Sequence, residues 1–351
     1  MNEATYRLRA FEPGDYPEEA RIWTLLDPGV VYSVEELRHQ DATFSLPPLV
    51  HRKVVAEERS RRTPVGFAYL INDPESFDPQ TFWVEVGVDP EHQGRGVGRA
   101  LADALTLEAE RRTARRLWAS ARVDQPRAVR FLTLQGYSER RRSWRSRLEL
   151  ATAAELPDRT EELARQGISF TTLAQEDLSD PRVVRDLYEL SAAASADEPR
   201  LGPYTPITLE QFVEMDLRSP TFLPDAYFLA RKDGRFVAMS ALRRAAGESG
   251  TLHQSFTGTR RELRGRGIAT ELKRRAVAYA REHGFQSIRT GNDSLNRPML
   301  AINRKLGFRF EREQIFAERE LRSGTPTGRT GTEAGPTPLR DRKDGEARSS
   351  S

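Results

Sequence analysis

Two glycine-rich hexapeptides hold the residues whose types and spacing point most directly to chemistry: Gln93-Gly94-Arg95-Gly96-Val97-Gly98 and Arg264-Gly265-Arg266-Gly267-Ile268-Ala269. Each stands between a β-rich alternating stretch and a stretch of helical period. A strand, a glycine turn and a helix in that order present unpaired backbone N–H groups to an anion, and the helix dipole adds about 0.3–1 kcal/mol. The missing side chains let a pyrophosphate come up against the main chain. What the turns lack narrows the ligand. A Walker loop needs GxxxxGK[ST], which neither contains. A dinucleotide-binding turn needs a third glycine where Arg99 and Thr270 stand.

The elements that must position these turns repeat. The two hexapeptides lie 171 residues apart, and so do Gly136-Tyr137 and Gly307-Phe308, each of which closes an apolar helical pattern. One structural unit used twice explains the shared offset. In the first unit the pattern predicts a strand over 81–88, and a helix over 99–115 with Leu101, Leu105 and Ala109 on one face. A strand over 116–123 and a helix over 126–134 follow. The second unit gives a helix over 270–282 ended by His283-Gly284, a strand over 286–290 and a helix over 298–306. Pro126 and Pro298 both suit a first helical turn. Upstream, 226–230 and 235–242 flank Asp233-Gly234, a hairpin signal, and 50–57 and 65–71 flank a charged turn. These upstream parts lose the register: Asp15 and Asp177 differ by 162, which insertions near 74–79 account for.

Composition sets the frame. A chain of 351 residues with 37% hydrophobic residues is sized for two domains. The spacing places them at 1–150 and 168–321, joined by a linker over 151–167 and followed by a polar tail over 322–351 expected to be disordered. No apolar run approaches the ~18 residues of a membrane span, and the charged start lacks a secretory h-region, so a cytoplasmic protein is expected. There is no cysteine, and the five histidines show no metal-ligand spacing, so no metal is expected. The 55 basic and 52 acidic residues leave a net charge of +3. The excess clusters at Arg111, Arg112, Arg115 and Arg116, and at Arg140, Arg141, Arg142, Arg145 and Arg147. Without interleaved aromatics these clusters read as solvated helix and strand surface rather than a nucleic-acid site.

Both turns fit [Gln/Arg]-x-x-Gly-x-[Gly/Ala], and this resembles the pyrophosphate-binding motif of the GNAT acetyltransferase family. The motif is complete as Gln93, Gly96 and Gly98 and again as Arg264, Gly267 and Ala269. The resemblance covers most of 5–150 and 168–321. It implies an α/β (α+β) chain of two tandem GNAT-like domains, each a mixed, mostly antiparallel sheet flanked by helices. It implies acetyl-CoA as co-substrate, held by the residues of both turns, Gly94, Arg95, Val97, Gly265, Arg266 and Ile268 included. The strands over 84–88 and 256–259, with Val86, Val88, Thr257 and Thr259, are similar to the family's strand that pairs with the pantetheine arm. Asn296, Met299 and Asn303 look like the second half of tandem members, with the two asparagines on the cofactor or, equally, in helix capping and packing.

The implied activity is N-acetyl transfer to a primary amine of a small molecule or protein. An alkyl amine of pKa about 10.4 is mostly protonated at neutral pH, so removing its proton is the main cost. The family often carries a carboxylate just before the turn, and Glu85 occupies that place; it also suits a solvent-facing glutamate on a half-buried strand. In the second unit Phe256 stands there, with His253 as a possible substitute or a structural histidine. The family's frequent tyrosine acid is replaced by Leu132 and Asn303. Two other functions therefore compete: a non-catalytic acyl-CoA-binding protein, or one active unit with a degenerate partner.

Overall fold

The structure, a computed structural model, describes residues 5–245 and 247–321. The tail over 322–351 lies outside the described residues. In the first unit the strands are β1 (Tyr6–Ala10), β2 (His51–Glu58), β3 (Thr63–Ile71), β4 (Thr81–Val88), β5 (Arg116–Arg122) and β6 (Ser138–Glu149). Its helices are α1 (Tyr16–Leu26), α2 (Val34–Phe44), α3 (Val97–Arg111) and α4 (Pro126–Leu134). A connector carrying α5 (Thr160–Ala164) leads to β7 (Ile168–Thr172), α6 (Pro181–Ser195) and α7 (Leu209–Phe212). Then come β8 (Phe222–Lys232), β9 (Arg235–Arg244), β10 (Thr251–Thr259), α8 (Ile268–Glu282), β11 (Ser287–Asp293), α9 (Arg297–Leu306) and β12 (Arg309–Glu320).

The helices that follow the glycine turns begin at Val97 and Ile268, because Gly96 and Gly267 cap them in left-handed conformation at φ +80° and +86°. Val97 and Ile268 are each 1% exposed, so the first helical residue pins each turn to the core. Strand alternation then sorts the helices. Leu101 and Leu105 of α3 pack with Phe82, Val84 and Val88, whereas Ile22 of α1 packs with Val55 and Phe67 on the opposite face. The second unit repeats this with α8 against one face and α6 against the other.

The two expected sheets are one. The strand order is β1-β2-β3-β4-β5-β12-β6-β11-β10-β9-β8-β7, so the units exchange their last strands. β12 pairs antiparallel with β5 (Glu320 opposite Arg116), and β6 pairs antiparallel with β11 (Glu149 opposite Ser287). Cross-strand charge explains the fit at the centre. β6 is arginine-rich and β12 glutamate-rich, so Arg142 meets Glu313 at 3.1 Å and Arg140 meets Glu318 at 3.1 Å. The arginine cluster at 140–147 is thus not simply solvated surface. It lies mid-sheet, and Arg141 is held by Asp293 of β11 at 2.5 Å.

Candidate active site

Each glycine turn sits where two parallel strands part. Pairing of β4 with β5 ends at Trp83 and Trp118, and pairing of β10 with β11 ends at Gln254 and Thr290. Beyond those points the strands separate, leaving a cleft that runs to the turn. The turns are built alike. Gly94 and Gly265 both have φ +76°, and a Cβ added to either would meet nothing within 4 Å. Gln93 Nε2 donates to the Val88 carbonyl at 3.0 Å, and Arg264 Nε donates to the Thr259 carbonyl at 2.9 Å. Glutamine and arginine are interchangeable here because either folds back onto the last residue of the strand. The N–H groups of each first helical turn are left for an anion. Arg95 reaches Tyr6 Oη at 3.3 Å, Arg266 is exposed, and the Thr259 hydroxyl is buried without a partner among the described residues.

Glu85 faces the side of the sheet that carries α1, together with Trp83 and Gly87. Tyr69, opposite Glu85 in register on β3, donates its hydroxyl to Glu85 Oε2 at 2.9 Å. Enclosure by the cleft raises the Glu85 carboxyl above its ordinary pKa, while the Tyr69 hydrogen bond and the charge of Arg145 pull it down. Trp23 packs on Tyr69 with ring centroids 5.7 Å apart, and Tyr32 lies 6.4 Å from Trp23. Burial, with Asp27 and Glu85 adding, pushes Tyr32 up to about 12. Sequence reasoning missed both tyrosines. Alternation in 65–71 placed Tyr69 on a strand, but only the register of two strands puts it against Glu85.

Asp27, just after α1, joins the units. It accepts from Arg122 at 2.8 Å and Arg145 at 2.8 Å, and it also pairs with Arg312 of β12. With Asp27 only 11% exposed in its side chain, removal takes a shared carboxylate from three guanidinium groups, of which Arg122 keeps Asp124 and Arg312 keeps the Pro28 carbonyl. Asp27→Ala should therefore cost about 3 kcal/mol in a denaturant titration. A loss within error would mean that water replaces the carboxylate.

The second cleft departs from the first at a bulge and at the residues that follow it. A bulge in β10 between Gln254 and Phe256 inserts Ser255, and it accounts for one residue of register between the two parallel strand pairs. The buried Gln254 amide braces it, donating to Ser240 Oγ at 3.2 Å, the Ala241 carbonyl at 2.8 Å and the Phe256 carbonyl at 3.1 Å. Phe256 then takes the place of Glu85, packed beside α6 with Ala241 opposite where the first unit has Tyr69. His253 is exposed to solvent on β10. Crowding by protein, with Arg145, Arg243 and Arg289 adding, lowers its pKa to about 4, so the ring is neutral at pH 7. Thr257 shares a hydrogen bond with Ser240 at 3.1 Å.

The asparagines also have protein partners. Asn296 caps α9 by accepting from the Met299 N–H, and buried Asn303 donates to Asn292 at 2.6 Å. The remaining Asn303 oxygen has no partner among the described residues. Asn303 lines a recess of about 390 Å³ with Trp144, Ser146, Leu300, Phe308 and Phe310. Leu132 is buried in the packing of α4. Among the described residues no group of three or more His, Asp or Glu could hold a metal, and no helix is long and apolar enough to cross a membrane.

The family described as Acetyltransferase (GNAT) family matches residues 17–137 and matches again over 187–308. The chain belongs to that family, as an acyltransferase with the fold in tandem. Among its relatives, the mycothiol acetyltransferase of Acidothermus cellulolyticus is 27% identical over 277 residues, covering 75% of this chain and 77% of that one. The mycothiol acetyltransferase of Amycolatopsis mediterranei is 30% identical over 252 residues, covering 70% and 77%. Two solved structures share the fold over nearly the whole chain. A GCN5-related N-acetyltransferase from Sphaerobacter thermophilus aligns with TM-score 0.67 at 21% identity, covering 91% of this chain and 96% of that one. A tandem GNAT protein from the clavulanic acid biosynthesis pathway aligns with TM-score 0.69 at 18% identity, covering 90% and 98%.

Proposed function

We propose that the chain transfers an acetyl group from acetyl-CoA to a primary amine, that both units hold acetyl-CoA, and that the first unit performs the chemistry. The observation that carries this is the duplicated turn: open, left-handed glycines at a helix N-terminus, at the end of a cleft between parting parallel strands. Acetyl-CoA supplies the activated thioester. Glu85, raised by enclosure and oriented by Tyr69, accepts the proton of the attacking amine directly or through water. Phe256 cannot do so. The bulged second cleft therefore suits a unit that binds the cofactor and shapes the acceptor groove without performing the reaction. The acceptor class is an amine-bearing small molecule, a reading supported by relatives named for mycothiol. The basal test is thiol release from acetyl-CoA across a panel of amines that includes mycothiol-type acceptors. No turnover on any of them would leave a non-catalytic acyl-CoA-binding protein as the better reading.

Cofactor stoichiometry gives a second test. Calorimetry on the full chain should find two sites for acetyl-CoA, and Gly96→Asp and Gly267→Asp should each remove one. Both positions need a left-handed backbone, and a carboxylate there also repels the pyrophosphate. A stoichiometry of one in the unsubstituted chain would show that one turn is decorative.

A further inference from the structure

The connector does more than link the units. Residues 158–160 are strapped along α8: Arg274 holds Asp158 at 2.9 Å, the Arg159 N–H donates to Glu271 at 3.3 Å, and Arg275 donates to Thr160 Oγ1 at 2.7 Å. Leu163 of α5, fully buried, anchors the strap in the core of the second unit. This arrangement lays the Arg159 side chain over the second glycine turn. A Cβ added to Gly267 would run into the Arg159 guanidinium, with Nη1 the nearest atom and Cζ at 2.6 Å. The other edge of the guanidinium is tied back to Glu162, Nε at 2.9 Å and Nη2 at 2.5 Å. Nη1 is thereby left pointing at the turn.

Glu162 and Glu271 favour the Arg159 cation here, but the backbone of the turn it lies over does not. The turn and the first turn of α8 offer N–H donors and the positive end of a helix dipole, and a guanidinium has five donors and no acceptor. Two sets of donors face one another. An anion lying between them satisfies both, and a pyrophosphate has oxygens enough to do so. We propose that Arg159, carried by the connector, is a ligand for the pyrophosphate held on the second glycine turn. This rests on the reading that the second unit holds acetyl-CoA. It assigns the connector a share of the binding site and adds to Gly267 a reason to be glycine: the guanidinium needs the space.

The test uses the full chain carrying Gly96→Asp, so that only the second site remains, and titrates it with CoA and with 3′-dephospho-CoA. Adding Arg159→Ala should weaken both ligands alike by about 10- to 100-fold, the scale of one charge-assisted hydrogen-bonding group. Arg159→Lys should fall between, because it keeps the charge and loses the fork. The melting temperature without ligand should hold, since Leu163 and the backbone bond to Glu271 remain. Unchanged or tighter binding in Arg159→Ala overturns the proposal, tighter binding marking Arg159 as a plug. A loss confined to CoA overturns it too, because the contact would then be with the 3′-phosphate. If the Gly96→Asp chain with Arg159 intact binds neither ligand, the two-site reading fails and takes the proposal with it. Binding that ignores Arg159 removes the proposal alone.

Discussion

Replacing Glu85 with glutamine should lower the rate of acetyl transfer about 10²–10⁴-fold while leaving acetyl-CoA affinity nearly unchanged. The carboxylate lies on the face of the sheet that carries α1, away from the turn residues, so it is placed for the amine and not for the phosphates. Glutamine keeps the shape and can still accept from Tyr69, so the loss reports the missing proton acceptor. The defect should shrink as pH rises and free amine becomes abundant. Unsubstituted enzyme should show an acidic limb set by the raised Glu85 carboxyl. Tyr69→Phe should move that limb to higher pH, because it removes a hydrogen bond that favours the ionised form. His253→Ala should have little effect on rate, since a ring of pKa about 4 is too weak a base to take the proton of an attacking amine. Glu85→Gln silent with His253→Ala inactive would relocate the chemistry to the second unit.

The same substitution should stabilise the fold. A carboxyl whose folded pKa is raised contributes stability that is complete below the ordinary carboxylate pKa and lost as pH rises through the raised value. At pH 8 the ionised Glu85 opposes folding, so Glu85→Gln should melt higher than the unsubstituted chain. Near pH 4 the two should converge. A glutamine variant that melts lower at pH 8 would mean that the ionised carboxylate is well compensated by Tyr69 and Arg145.

Cutting the chain between the units should abolish folding of both pieces. Residues 1–150 alone would lack β12, which lies between β5 and β6, and with it Ile315, Ala317 and Leu321 from the cores. Apolar side chains of that kind contribute roughly 1.5–3 kcal/mol each on full burial, the alanine less, so the loss approaches the ~5–15 kcal/mol of a whole domain. Residues 151–351 alone would lack Leu148 and Leu150, both fully or nearly fully buried in the second core. Each piece alone should show no cooperative melt, whereas co-expressed pieces should assemble and melt together. Two independently folding pieces would refute the exchange.

The sequence showed local chemistry well and pairing poorly. The turns were legible because glycine and a helix start are written in consecutive residues, and the shared offset of 171 marked the repeat. The helix over 126–134 needed no adjustment, while those expected from 99 and 270 start two residues earlier, just after the capping glycines, and the first ends at Arg111 rather than at 115. The exchange of β6 and β12 was not legible, because both strands are 12-residue, charge-rich segments after a Gly-aromatic exit and either could pair with either neighbour. What separates them is the sum of arginine against glutamate across strands, which no single window displays. The Ser255 bulge was hidden for a related reason: counting back from the turn aligns Phe256 with Glu85 correctly, but residues before the bulge slip by one.

The strand exchange also bears on how such a chain can change over generations. A copy that arose by duplication and kept its own last strand could lose its chemistry and then be deleted. Here neither copy can be discarded, because each completes the other's sheet. Selection for folding alone keeps the second copy in place, and the position of its base is free to drift while the cofactor turn is kept. A phenylalanine can settle where the first copy keeps a carboxylate, and the gene still carries both halves.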